Sequence, residues 1–188
     1  MKYFLLLLIF PIMISCENKK AQEEKDLKEL QAMALEMKKN EIDFSLNAVP
    51  KYFSAKTIKG SSFNSEDYKG KNLVVFVYDK SYLKKSDSYD MAEELNEIYD
   101  LYKDKVQFIG IVEGFVDNDA ELQDYLKSSK IAFDQIDNTI STDKEEKLHH
   151  NLVCSPAKIL IDEKGKVTAA SCGGGSSFHL VEKLKDIK

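Results

Sequence analysis

The sequence predicts an α/β domain with a mixed central sheet flanked by helices, preceded by an N-terminal helical extension. Three observations carry this expectation. Leu73 to Tyr78 and Val106 to Val112 are continuous apolar, β-branched runs, the pattern of strands buried on both faces. Stretches of helical periodicity lie between and after them, so strand and helix alternate. Lys158 to Asp162 and Val167 to Ser171 flank Glu163-Lys164-Gly165-Lys166, a hairpin signal that adds antiparallel pairing.

In chain order, Met1-Lys2 is a short positive start and Tyr3 to Ile14 an apolar run. That run is too short for a mature membrane span, which needs about 20 residues, and fits the core of a secretory signal. It ends at Met13-Ile14-Ser15-Cys16, which resembles the lipobox of bacterial lipoproteins, although Met13 stands where Leu is usual. Residues 1–15 are then a signal peptide and Cys16 the lipidated N-terminus. Acyl chains would hold the protein at a membrane of the cell envelope. The alternative is an ordinary signal peptide with an incidental cysteine.

Residues 16–45 read as a tether carrying a helix. From Lys20 to Asn40 there is no Gly or Pro, and Leu27, Leu30, Ala34 and Met37 draw one apolar stripe. This helix, about 30 Å long, could pack on the domain or pair with a second copy as a homodimer.

The domain is expected over residues 46–188. Tyr52 to Ile58 reads as a short strand and Gly60 to Asn64 as a turn. Met91, Leu95, Ile98 and Tyr102 share one helical face. Asp119 to Lys127 is a further helix with Asp117 or Asn118 as cap. Phe178 to Ile187 closes the chain as a helix.

The formal charge is −5, and all 27 cationic residues are Lys. Without Arg forks or a basic excess, nucleic acid is excluded as a partner. No cofactor is expected.

The order of elements, with "VPKYFSAKTIKGSSFNSEDYKGKNLVVFV", "ELNEIYDLYKDKVQFIGI" and "VCSPAKILIDEKGKV", resembles the thioredoxin superfamily over residues 47–188. Its nearest branches are the membrane-anchored TlpA-type reductases and the peroxiredoxin-type (AhpC/TSA-like) redoxins. The resemblance implies a thioredoxin-like fold with redox cysteines between the first central strand and the next helix. There the helix N-terminus lowers a thiol pKa. Here that stretch has no cysteine, since none occurs between Cys16 and Cys154. Counting from Phe76 places Ser81 and Lys84 at the pair, whereas counting back from Leu95 places Lys85 and Ser88 there. A serine cannot cycle between thiol and disulfide, and Ser86-Asp87-Ser88 reads as helix cap and first turn. A degenerate active site kept as a binding surface follows.

The resemblance further implies that Ser155-Pro156 is the cis-proline step, whose preceding main chain pairs with an extended substrate segment in relatives. A protein or peptide partner bound at Ser155 and Pro156, without redox cycling, is the expectation. Extending the hairpin also brings Cys154 towards Cys172, and a disulfide between them would need Cα atoms within roughly 7 Å. That pair is a structural disulfide or two semi-buried thiols, or else a relocated thiol–disulfide redox pair. Copper or zinc held by His149, His150, Cys154, Cys172 and His179 is a further alternative. On a helix, however, the two adjacent histidines would point about 100° apart. Gly173-Gly174-Gly175 lacks the pattern of a phosphate loop and reads as a turn.

Overall fold

The computed structural model describes residues 10–141, 148–175 and 177–187. Residues 1–9 of the expected signal peptide lie outside the described residues. The chain divides into two units, Met1–Asn40 and Glu41–Lys188. In the first, a single helix α1 runs Phe10–Asn40, longer than the Lys20–Asn40 stretch the sequence marked. Lys38 and Lys39 in its last turn suit its C-terminal dipole. Leu27 and Leu30 of the apolar stripe are exposed. Among the described residues no helix is long and apolar enough to cross a membrane.

The second unit holds every buried apolar residue among those described, from Ile42 to Leu184, so it carries its own cores. A small antiparallel pair, β1 (Ser54–Lys56) and β2 (Ser62–Asn64), comes first. Part of the expected Gly60–Asn64 turn is therefore strand, because Phe63 is buried and draws its neighbours into pairing with β1. Then follow β3 (Leu73–Asp79), α2 (Met91–Tyr102), β4 (Gln107–Glu113), α3 (Asp119–Ser129), β5 (Gln135–Asp137), β6 (Ala157–Ile161), β7 (Val167–Cys172) and α4 (Phe178–Lys185).

The main sheet has the order β5-β4-β3-β6-β7. β3 is parallel to β4, and β4 to β5, through helical crossovers, while β6 and β7 add antiparallel pairs. The mixed sheet expected from sequence is present. Side-chain alternation explains the unbroken apolar runs. Val74, Phe76 and Tyr78 face one core with Leu95, Ile98, Leu180 and Leu184, whereas Leu73, Val75 and Val77 face another with Phe44, Phe53 and Ile159.

Gly110 in β4 is required by a close approach. A Cβ there would lie 2.5 Å from the Tyr78 hydroxyl and 3.1 Å from the Phe133 ring. Tyr78 is fully buried and donates to Gln135 Oε1 at 2.8 Å, so it has little freedom to withdraw. Gly110→Ala is expected to cost about 1–3 kcal/mol by overpacking, seen as a lowered urea midpoint. An unchanged midpoint would mean that Tyr78 moves aside freely.

Candidate functional site

The region between β3 and α2 is built by local capping. As β3 ends, Asp79 Oδ1 accepts from Ser81 N at 2.8 Å and starts a 3-10 turn over Lys80–Leu83, pinned by buried Leu83. Lys84 closes that turn. Ser86 and Tyr89 then form a second turn, in which the Ser86 hydroxyl is 3.1 Å from both N and O of Tyr89. Asp90, rather than Ser86-Asp87-Ser88, caps α2 by accepting from Glu93 N at 3.0 Å. That bond and the nearby Lys85 hold the Asp90 carboxyl below its usual range, against burial, which raises it.

The sequence-expected residues are thereby placed. Ser81 lies in the 3-10 turn and Lys84 at its end, while Lys85 and Ser88 lie in the connecting loop, all four exposed. Neither counting scheme puts its pair in the first turn of α2, which begins at Met91. The lysines turn outward from the strand end. Lys80 bonds Glu121 on α3, and Lys80 and Lys84 sit 5.1 Å and 4.1 Å from the centre of the Tyr125 ring. Lys85 pairs with Asp90 at 3.1 Å.

The Ser155-Pro156 bond is cis, and Ser155 Oγ accepts from Asp79 N at 2.7 Å. The β3 end and the cis-proline loop are thus joined directly. Cys154 and Cys172 form a disulfide with Cα atoms 6.0 Å apart, tying the same loop to the end of β7. Cys172 is exposed and Cys154 half-buried. Among the described residues, no hydrogen bond reaches the main-chain N–H or C=O of Val153, Cys154 or Ser155, and the Val153 side chain is 99% exposed.

Three of the five expected metal ligands are engaged elsewhere. The cysteines are joined to each other, and His150 Nε2 lies 2.7 Å from Glu113 Oε1. Its Nδ1 accepts from Leu152 N at 3.3 Å, so in the neutral ring the proton sits on Nε2. His149 and His150 lie outside any helix, because His150 bridges to Ile42. Among the described residues no group of three or more His, Cys, Asp or Glu side chains is placed to hold a metal ion.

Sequence reasoning missed a buried charge pair beneath this surface. Lys158, in the apolar β6, is 0% exposed, and its Nζ reaches Glu94 Oε1 at 2.9 Å and the Gly173 carbonyl at 2.8 Å. Glu94 also accepts from Tyr89 Oη at 2.6 Å, from Gly175 N at 3.0 Å and from Ser177 Oγ. Burial raises the Glu94 pKa, but the donors Ser177, Tyr89, Lys158 and Gly175 together outweigh it and hold the carboxyl down to about 2. Burial and the adjacent Glu94 push the Tyr89 phenol up. The one sequence signal was a lysine inside the otherwise apolar run Ala157-Lys158-Ile159-Leu160-Ile161.

Among solved structures, the chain is similar to the thioredoxin domain of a thiol-disulfide oxidoreductase from Bacteroides vulgatus, at 20% identity and TM-score 0.54, covering 74% of this chain and 97% of that one. It is similar to an exposed lipoprotein thioredoxin of Streptococcus pneumoniae at 15% identity and TM-score 0.53, covering 73% and 100%. A thiol-disulfide oxidoreductase from Bacteroides fragilis matches at 19% identity and TM-score 0.53, covering 72% and 96%. At these identities the likeness establishes a thioredoxin-like fold. No curated protein sequence matches the chain. The cis-proline loop joined to β3, the mixed sheet, and a match to the AhpC/TSA family over residues 46–170 converge on one conclusion: the chain belongs to the AhpC/TSA family.

Proposed function

We propose that this protein is a cell-envelope lipoprotein, anchored through Cys16, whose redoxin domain binds an extended segment of a protein partner along Val153–Ser155 without a Cys-x-x-Cys cycle. The observation that carries this reading is the main chain of Val153–Ser155 beside Pro156, unpaired among the described residues and held in place by Asp79 and by the disulfide. Unpaired amides and carbonyls on a segment held in place are what strand addition uses. The β3–α2 loop contributes no sulfur, and fold alone does not supply a redox activity. The exposed lipoprotein among the similar structures supports the envelope placement.

The exposed Cys172, disulfide-bonded beside Ser155, favours a second reading as a thiol–disulfide oxidoreductase. A partner thiolate would attack Cys172 Sγ and release Cys154 as thiolate. A second partner thiolate would then attack the partner's sulfur in the mixed disulfide and release Cys172. Two electrons pass to the Cys154–Cys172 pair, and the partner gains a disulfide.

Alkylation-trapped equilibration of the chain without its first 16 residues, across a glutathione series, separates the two. The binding reading expects a disulfide more stable than about −300 mV and no insulin reduction. It also expects peptides selected on the domain to shift the amide resonances of residues 153–155, and Val153→Glu to weaken them about tenfold. Reversible exchange between about −120 and −270 mV would replace it with the oxidoreductase reading.

A further inference from the structure

A cavity of about 520 Å³ lies at the other end of the sheet from Ser155. β3 runs from Leu73, which lines this cavity, to Asp79, which holds Ser155; six residues of strand put the two ends about 20 Å apart. The size falls within the roughly 300–1,000 Å³ of small-molecule sites. Its inner lining is apolar, with Phe53, Leu73 and Ile161 all buried. Tyr68, stacked on Phe63 at 5.5 Å, and the exposed ring of Tyr52 add aromatic lining.

The polar lining is cationic, on a protein whose overall charge is −5. Lys51, Lys69, Lys71 and Lys164 line the cavity against two carboxylates, Asp162 and Glu163. Asp162 is already engaged, since its Oδ1 accepts from Lys164 N and Lys166 N at 2.9 Å each to close the hairpin turn. Lys69, Lys71 and Lys164 pair with no carboxylate among the described residues, and Lys71 Nζ sits 5.9 Å from the centre of the Tyr68 ring. An apolar trough with unpaired ammonium groups around it is complementary to a molecule with an apolar body and one negative head.

We propose that this cavity is a second binding site, for a small amphipathic carboxylate whose apolar body lies against Phe53, Leu73 and Ile161 and whose head meets Lys69 and Lys71. It is independent of the partner site at Val153–Ser155.

Decanoate is the probe, titrated calorimetrically into the chain without its first 16 residues, which retains both cores of the second unit. One saturable site is expected, uncompeted by decyltrimethylammonium. The exposed double change Lys69→Glu/Lys71→Glu should weaken binding at least about tenfold by reversing the charge near the head. Tyr52→Ala, also exposed, should weaken it with far-UV circular dichroism unchanged. Absence of saturable binding, equal binding of the cationic analogue, or unchanged affinity in both folded variants would overturn the proposal. Binding to anionic vesicles without binding decanoate would overturn it too, by assigning the face to a lipid surface.

Discussion

Replacing Glu94 with Leu is expected to destabilise the domain by about 3–5 kcal/mol, the usual cost of leaving a buried charge without its partner. Lys158 is 0% exposed and would keep only the Gly173 carbonyl. Tyr89 Oη, Gly175 N and Ser177 Oγ would lose their acceptor at the same time. Lys158→Met should cost much less. Glu94 would still hold those three donors, and its side chain is 17% exposed. The double variant should recover part of the Glu94→Leu loss, because it removes the stranded charge along with its partner. Urea unfolding of the three variants measures this asymmetry. Equal losses in both single variants would show that the pair contributes through packing and not through charge.

The same pair sets an acid limit. The Glu94 carboxyl is held at about 2 in the folded chain, below the roughly 4.3 of an unfolded glutamate. Its contribution is therefore complete above about pH 4.5 and lost as the pH falls towards 2. Wild-type stability should drop across that window more steeply than that of a Glu94→Gln variant. Parallel pH profiles would remove Glu94 as the cause.

Loss of the Cys154–Cys172 disulfide is the second large expected effect. The bond closes a loop of sequence separation 18, and freeing that loop in the unfolded chain is worth about 3 kcal/mol on the loop-entropy model. For a domain of this size the melting midpoint should fall by roughly 6–12 °C on Cys154→Ala/Cys172→Ala or on full reduction. The effect should not be additive with Lys158→Met, because Lys158 bonds the Gly173 carbonyl next to Cys172. An unchanged midpoint in the double variant would mean that β6 and β7 already hold these ends together without the covalent bond.

Family membership and chemistry part company at the β3–α2 loop. The AhpC/TSA match covers residues 46–170, yet that loop carries Ser81, Lys84, Lys85 and Ser88 and no sulfur. Its side chains make structural contacts instead, with Lys80 bonded to Glu121 and Lys84 over Tyr125. The remaining sulfur pair sits across the site, on the cis-proline loop and the end of β7.

Much of this architecture follows from one-dimensional pattern. β3 and β4 are apolar on both faces, so their composition identifies them without knowledge of neighbours. α2 begins and ends where its apolar spacing does, at Met91 and Tyr102. The absence of a cysteine between residues 16 and 154 needs no coordinates at all. β5 escaped because three residues, Gln135–Asp137, are too few to show a period.

What the tertiary structure alone decided is how distant residues meet. Glu94 reads as an ordinary first-turn acid and Lys158 as a stray cation, far apart in sequence. Only the packing of α2 against β6 and of the glycine-rich turn over both makes them a buried pair with a depressed carboxyl pKa. Tyr89 and Ser177 enter that network by the same route. The cap of α2 passed from the expected Ser86-Asp87-Ser88 to Asp90, because Ser86 is engaged in a turn with Tyr89. Local periodicity reports which face of an element is apolar. It carries no information on which polar groups the fold will bury together, since that depends on contacts between segments far apart in the chain.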